Sequence, residues 1–355
     1  MASFASSATT CGARKHAWTN CYALSKVWFR AKCVDLRVCD IKNITSSCKS
    51  WLYQDMFAKP EEMLLHRPHH YGGLGLHSTK YKALAGFITS FIQTAANPSF
   101  RSNLLHNLLY RKYVLEEECV PGAPNQPPAY FTQDFFAIIR KVKSESSLNI
   151  ITMTERDWTR LLTEDYITME LNESGTRDFR PCRAEAASPT TDWTLSWTLS
   201  RQKGVPPDMA SFLWKMLLDL LSTQERLHKM GATPSPLCKQ CKLVTGSLKH
   251  ELLECHLNNN VGQLLLGCLQ TYIPGLSADT MLRLEFNNLD KDMELPSIIL
   301  TAATLGYLWK ERLSSTKIRT YQVRSEIEQT INLLRTTRLA NAASTLDTMV
   351  NQMFQ

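Results

Sequence analysis

The stretch PLCKQCKLVTGSLKHELLECH, residues 236–256, contains Cys238, Cys241, His250 and Cys255 at a C-x2-C-x8-H-x4-C spacing. Two thiolates separated by two residues can bind one ion from a tight turn, and a His and a Cys five positions apart can bind it from one face of a helix. Three sulfurs and one nitrogen fill a tetrahedron, which is typical of structural rather than catalytic zinc. The spacing therefore predicts one structural Zn2+ ion on these four residues.

Other residues leave alternatives to this ligand set open. The chain has 11 cysteines, so a single C-x2-C pair is weak evidence until the His and the third Cys are added. His228 and His256 lie close enough in sequence to replace His250 as the nitrogen ligand. Ser247 is predicted to start the ligand helix, and Cys268, within LLLGCLQ, is predicted to be a buried apolar thiol.

The remaining composition is that of a soluble intracellular chain. The start, MASFASSATTCGARKH, has no apolar segment behind a basic one, so no secretory signal is expected and the thiols are expected to be reduced. No stretch reaches about 18 consecutive apolar residues, so no membrane span is expected. We therefore predict a cytoplasmic or nuclear location. A nucleophilic role for Cys241 or Cys255 would need a base and a free thiolate, which a filled zinc site does not leave.

Positive charge is concentrated in two segments. The net charge is +7, but residues 1–50 hold 8 Lys and Arg against 2 acids, and residues 201–250 hold 8 against 3. Such clusters suit RNA or DNA phosphates, although they are also compatible with solvated faces that bind nothing. Trp193 and Trp197 could stack on bases but are predicted to be core residues. The predicted nucleic-acid contacts are Arg226, Lys229, Lys239, Lys242 and Lys249.

Apolar residues that return at three- and four-residue steps predict a mainly α fold. Residues 120–131, with four prolines, are predicted to form a loop, and residues 170–193, which lack periodicity, are the best candidate for a domain boundary. The chain shows almost no alternating strand pattern, and one long amphipathic helix from Tyr321 to Leu346 is expected near its end. The predicted helical segments run from about Trp18 to Ala58, from Ser78 to about Glu117, from Met209 to Gly231, and from Pro296 to the C-terminus.

Residues 212–241, FLWKMLLDLLSTQERLHKMGATPSPLCKQC, and residues 245–255, TGSLKHELLEC, resemble the zinc-binding domain that follows reverse transcriptase in non-LTR retrotransposons. The shared pattern is an apolar helix, a T-x-x-R turn, the C-x2-C pair and H-x4-C on a short helix. The resemblance implies that the same Cys3His set binds the metal. It also implies that the module handles RNA and DNA beside a polymerase.

A second stretch, residues 49–92, resembles the end of the thumb of the same retroelement proteins. Its recognisable part is GGLGL, with Gly72, Gly73 and Gly75. No Lys-Ser/Thr follows these glycines and no strand precedes them, so a phosphate loop is not expected. The nearby His66, His69, His70 and His77 are predicted to belong to a turn between helices rather than to a metal cluster.

The resemblance implies a thumb-like helical segment followed by a helical C-terminal domain with a small CCHC zinc module. Polymerase chemistry in this family needs an Asp-Asp pair, which the sequence lacks, so we expect a nucleic-acid-binding fragment that is not catalytic alone. The alternative is a decayed or host-adopted element whose helices at residues 315–350 bind a protein partner. The implied divisions are a thumb-like segment at 1–120, a connection at 121–192, the zinc-binding domain at 193–275 and a helical region at 276–355.

Overall fold

Helices dominate the structure, as the sequence predicts. The computed structural model describes residue 27 and residues 38–52, 59–96, 104–128, 131, 135–145, 149–165, 169–171, 177–258, 260–287, 289–312, 320–337 and 339–355. Of the helical segment predicted from Trp18 to Ala58, residues 18–26, 28–37 and 53–58 lie outside these ranges. The helices are α1 (Val38–Leu52), α2 (Glu62–His66), α3 (Thr79–Ala96), α4 (Leu104–Tyr113), α5 (Phe135–Glu145), α6 (Glu155–Thr163), α7 (Arg183–Ala187), α8 (Trp193–Ser200), α9 (Pro207–Leu217), α10 (Gln224–Lys229), α11 (Val261–Gln270), α12 (Ala278–Leu282), α13 (Lys291–Glu311), α14 (Thr320–Arg335) and α15 (Ala340–Met353).

The described residues form two compact units. One, which we call the aromatic unit, contains residues 27, 38–52 and the described part of 75–180; the other, the cysteine unit, contains residues 59–74 and the described part of 181–355. The four-part division inferred from the resemblance stays a prediction. Two short strands, β1 (Met169–Leu171) and β2 (Arg177–Phe179), pair antiparallel, with Met169 opposite Phe179. Among the described residues, these two strands are the exception to the prediction of an almost strand-free fold.

The aromatic unit is built around a cluster of phenylalanine rings on α3, α5 and the residues before α5. Neighbouring ring centroids lie between 4.8 and 5.7 Å apart, in the tilted and edge-on arrangements that aromatic pairs favour. The predicted proline-rich loop is present at residues 120–128, between α4 and α5. A capping box on Thr154 and Asp157 starts α6. The clustered rings are Phe87, Phe91, Phe131, Phe135 and Phe136.

The predicted helix from Met209 to Gly231 is instead two helices, α9 and α10. Asp219 has a left-handed backbone (φ +49°), and the Leu220 amide donates to the Lys215 carbonyl at 2.8 Å, so that α9 ends there. Thr223 then begins α10, because its hydroxyl accepts a hydrogen bond from the Arg226 amide. Apolar residues keep a helical spacing across the break between α9 and α10. For this reason, the sequence pattern does not indicate the break.

The C-terminal helices surround α13. Residues 295–305 of α13 are all buried, and the helix packs against α9, α11, α14 and α15. The predicted single long helix from Tyr321 to Leu346 is wrong, because α14 ends at Arg335 and α15 begins at Ala340. The hydroxyls of Thr336 and Thr337 donate to main-chain carbonyls of the last turn of α14. Among the described residues, no helix combines the length and apolar character needed to span a membrane.

Candidate metal centre in the cysteine unit

The cysteine unit brings Cys238, Cys241, His250 and Cys255 together. One ligand atom from each lies within 4.8 Å of all the others. The Cys238 and Cys255 sulfurs are 4.0 Å apart, and the Cys241 sulfur lies 3.3 Å from His250 Nε2. Tetrahedral zinc with usual bond lengths places two sulfurs about 3.8 Å apart and a sulfur and a nitrogen about 3.5 Å apart. These two separations therefore lie close to those of a tetrahedral zinc site.

The first two cysteines lie on a closed loop, residues 238–244, which we call the tip loop. The Cys238 amide donates to the Val244 carbonyl at 2.7 Å, and the Lys242 amide donates to the Cys238 carbonyl at 2.8 Å. Lys242 has a left-handed backbone (φ +57°), which allows the chain to reverse. The neighbouring pair Leu237 and Thr245 forms an isolated antiparallel bridge. Backbone hydrogen bonds thus hold both thiols on a single tight turn.

The other two ligands lie on a short helical turn whose geometry explains their spacing. Five residues span about 1.4 turns of an α-helix, which would point His250 and Cys255 in different directions. Residues His250–Glu254 instead form a π-helical turn, and the Cys255 amide donates to the His250 carbonyl at 2.8 Å. Ser247 begins the turn as predicted, since its hydroxyl accepts a hydrogen bond from the His250 amide at 3.2 Å. The wider turn brings both ligands to one side.

Burial shapes the electrostatics of the four groups. It raises the pKa of the Cys238 thiol to about 12 and also raises the pKa of Cys255. For Cys241, burial acts in the same direction, but hydrogen bonds from the Leu243 and Val244 amides outweigh it and hold the pKa below the usual value. Burial lowers the pKa of His250 and so favours the neutral ring that a metal requires. A bound cation would supply the positive charge that buried thiolates need.

Glu251 connects the ligand turn to neighbouring helices, a role that sequence reasoning missed. One carboxylate oxygen accepts a hydrogen bond from the Gln224 amide at 2.8 Å, and the other lies 3.8 Å from Arg312 Nε. The Arg312 guanidinium lies 3.3 Å from the centre of the Trp309 ring and donates to the Ser222 hydroxyl. Burial raises the pKa of Glu251 and lowers the pKa of Arg312 to about 10. In the sequence, the only indication of this role for Glu251 is its position directly after the ligand histidine in HELLE.

The five predicted phosphate contacts fall into two groups. Three of them form ion pairs with nearby acids, which reduces the charge available to a ligand. The side chains of Lys239 and Lys242, both on the tip loop, are exposed and form no ion pair with the described residues. The paired cations are Arg226 with Asp219 at 3.0 Å, Lys229 with Glu225 at 2.6 Å, and Lys249 with Asp279 and Glu254 at 3.1 and 3.6 Å.

The alternative ligands lie elsewhere. His228 Nδ1 is 3.0 Å from the Thr233 carbonyl, and His256 is exposed. Cys268 is buried, as predicted, and its thiol donates to the Met349 carbonyl. Within the described ranges, the Cys3His cluster is the group that could hold a metal ion. The histidines near GGLGL are not part of such a cluster, and His69–Tyr71 forms a 3-10 turn between α2 and α3, as expected of an interhelix turn.

A second polar site in the cysteine unit joins α2 to α7 and α8. Arg67, only 1% exposed, pairs with Glu185 at 2.9 Å. The same carboxylate accepts hydrogen bonds from Trp197 Nε1 at 3.0 Å and from the Cys182 amide at 2.6 Å. Trp197 is 1% exposed and stacks on Trp193, with ring centroids 5.3 Å apart, so it is a core residue as predicted.

The glycines of GGLGL allow the backbone to pack tightly against the residues of this second site. Gly72 has φ +76°, and a Cβ there would lie 2.6 Å from the Trp197 ring. A Cβ on Gly73 would lie 2.0 Å from the Arg67 carbonyl oxygen. Trp214 Nε1 donates to the Gly72 carbonyl at 2.6 Å. Close approach of backbone and indole, rather than phosphate binding, accounts for two of the glycines.

Three thiols and an imidazole on a tight turn and a short helix define a small metal-binding module of the structural type. Residues 182–261 match the model of a protein family described as zinc-binding in reverse transcriptase. The matched segment contains the whole Cys3His cluster and also Glu185 and Trp197. It supports a protein related to reverse transcriptases. No curated protein matches the chain.

Proposed function

We propose that this chain is a zinc-stabilised, nucleic-acid-binding part of a non-LTR retrotransposon reverse transcriptase. The observation that carries the proposal is the Cys3His cluster, whose distances suit tetrahedral zinc, inside the segment that matches the reverse-transcriptase zinc-binding family. The residues quoted for the thumb and the zinc domain support the assignment to non-LTR elements. The nucleic acid and the polymerase part of a retroelement protein are the proposed partners.

Zinc acts in this proposal as a structural support. Four protein ligands leave no open position for water or substrate, so the ion has no catalytic task. Because no preformed site exists in an unfolded chain, the free energy of metal binding becomes free energy of folding, on the order of several kcal/mol or more. The ion thereby fixes the tip loop against the ligand turn. Lys239 and Lys242 are then held in place for contacts with phosphates.

The proposed activity is binding without polymerisation by this chain alone. Polymerases hold two metal ions with paired carboxylates, and the 355 residues contain no Asp-Asp pair. The module would therefore hold RNA or DNA for a polymerase active site formed by other residues. A cytoplasmic or nuclear location is part of the proposal.

The alternative role as a helical protein-interaction module has less support. It relied on the apolar residues of segment 315–350, and the structure buries most of those it describes against α13 and against each other, whereas Tyr321 and Leu333 are exposed. The buried residues stabilise the cysteine unit itself. The buried residues are Val323, Ile327, Ile331, Leu334, Ala343, Leu346, Met349 and Val350.

Two measurements on the full chain test the proposal. Elemental analysis of the purified protein is expected to give about one zinc per chain. Binding to fluorescein-labelled RNA and duplex DNA of mixed sequence is expected to weaken steeply between about 50 and 200 mM salt, because phosphate contacts release counterions. Removal of the zinc with a chelator is expected to abolish that binding. Metal-free native protein, or affinity independent of salt, would contradict the proposal.

A further inference from the structure

The tip loop exposes apolar side chains beside two lysines that form no ion pair with the described part of the chain. Leu243 is 73% exposed, the highest value among the large apolar side chains of the described residues, and the adjacent Val244 is 53% exposed. Leu237, which precedes the loop, is 41% exposed. Lys239 and Lys242 are exposed on the same seven residues. Two cations and two aliphatic groups thus share one small surface.

This exposure is a property of a firmly held loop. The hydrogen bonds from the Cys238 and Lys242 amides close the turn, and the Leu237–Thr245 bridge continues it. The loop also carries two proposed zinc ligands, Cys238 at its start and Cys241 in its middle. Apolar side chains held in water by a rigid loop lose the favourable free energy of burial, and such patches mark interaction sites.

The charges indicate which partner covers the patch. Lys239 and Lys242 have no acidic partner among the described residues, so the surface is complementary to a polyanion. A duplex offers its phosphates to the lysines but keeps its base faces stacked inside, away from Leu243 and Val244. A single strand offers both phosphates and unstacked base faces, which apolar as well as aromatic side chains can cover.

We propose that the tip loop binds single-stranded nucleic acid, with Leu243 and Val244 against unpaired bases and Lys239 and Lys242 at the flanking phosphates. The proposal rests on the function proposed above and adds to it a preference for single strands and the surface responsible. The remaining three cations near the metal centre, which are already ion-paired, contribute little to this contact.

The test compares two double variants of the zinc-loaded full chain. Fluorescence anisotropy measures affinity for a single strand of about 12 nucleotides, as RNA and as DNA, and for a duplex of the same length. Wild type is expected to bind the single strand at least about tenfold more tightly than the duplex. Leu243→Ser with Val244→Ser is expected to lower single-strand affinity about tenfold and leave duplex affinity within about twofold. Lys239→Gln with Lys242→Gln is expected to weaken both and to reduce the salt dependence by about two phosphate contacts.

Matched controls separate the tip loop from general surface effects. Leu333→Ser changes a 58% exposed leucine on α14, and Lys310→Gln removes an exposed lysine of α13 that is ion-paired with Glu326. Both controls are expected to bind like wild type. Zinc content and circular dichroism verify that each variant is folded. As a measurement that needs no variant, photo-crosslinking of a 5-iodouracil-containing single strand to the wild-type protein is expected to label residues 237–245.

The outcomes distinguish this inference from the proposed function. If the apolar double variant binds single strands like wild type while binding remains salt-dependent, the proposed function stands and the single-strand surface is overturned. Crosslinks only outside residues 237–245 would overturn it as well. If no probe binds with salt dependence, the proposed function itself fails. If sedimentation shows a wild-type dimer that the apolar variant does not form, a second copy covers the patch and the inference is wrong.

Discussion

The metal centre and the Arg67–Glu185 ion pair stabilise the same unit by different means. The ligands of the metal centre lie within 17 positions of one another, whereas Arg67 and Glu185 are 118 positions apart. The metal centre depends on an ion from solution, so its contribution changes with free metal concentration. The ion pair consists of two charges from the chain that must remain together once they are buried. The stability contributed by the metal centre thus depends on the metal supply, whereas that of the ion pair depends only on the fold.

Loss of a metal ligand should have the largest effect. Cys238→Ser is expected to abolish zinc binding and to lower the free energy of unfolding by more than about 5 kcal/mol, since apparent binding free energies of structural zinc reach about 10–16 kcal/mol. Elemental analysis and thermal unfolding with and without a chelator measure both effects. Cys268→Ala is the matched control, because that buried cysteine lies outside the cluster. It should retain one zinc per chain; equal zinc loss in both variants would argue against the ligand assignment.

Removal of one charge of the ion pair should have the next largest effect. Glu185→Ala leaves the Arg67 guanidinium buried without its carboxylate and also removes the acceptor of Trp197 Nε1. We expect a loss of about 3–5 kcal/mol, measured by urea unfolding. Glu185→Ala combined with Arg67→Met should recover part of this loss, because no buried charge then lacks a partner. If the double variant is less stable than Glu185→Ala alone, the buried charge of Arg67 is not the cause of the stability loss.

A steric change near the ion pair gives a somewhat smaller expected effect. Gly73→Ala places a Cβ 2.0 Å from the Arg67 carbonyl oxygen, so the backbone must move, and we expect a loss of about 3 kcal/mol. Gly267→Ala is the control, since nothing lies within 4 Å of a Cβ at that position in α11. It should stabilise the protein by about 0.5–1 kcal/mol through helix propensity. Unfolding curves of the two variants that shift in the same direction would contradict this explanation.

The smallest effect is expected at an exposed ion pair. Lys229→Gln breaks the 2.6 Å contact with Glu225 on α10, where the lysine side chain is 70% exposed. Because solvent screens such pairs, the free energy of unfolding should change by less than about 0.5 kcal/mol. A chemical denaturation midpoint close to that of wild type, with zinc content unchanged, is the expected result. A large loss would show that the pair supports the metal centre.

Sequence patterns were sufficient to predict the features that depend on residues close to one another in the sequence. The helical class follows from apolar periodicity, and the C-x2-C and H-x4-C spacings selected the four groups that the structure brings together. Ser247 was identified as the start of the ligand turn for the same local reason. The π-helical turn itself was not foreseen, because the spacing alone does not distinguish it from an α-helix.

Other features escaped prediction because their cause lies outside the local pattern. The break at Asp219 and the break after Arg335 leave the apolar period intact, so each pair of helices was predicted as one. The ion pair between Lys249 and Asp279 depends on where acids lie in the folded chain. The pair between Lys229 and Glu225, four positions apart on α10, is local and was overlooked in the sequence. A count of positive charges near the cysteines therefore overestimated the number of available phosphate contacts.

By itself, the sequence determined the mainly helical class and the candidate metal ligands, because both depend on spacings of a few residues. The tertiary structure decided which of the predicted cations form no ion pair with the residues described, that Leu243 and Val244 are exposed, and that Arg67 meets Glu185 across 118 positions. The physical reason is that desolvation and charge pairing depend on what surrounds a side chain in space. Sequence position does not specify those surroundings until the chain has folded.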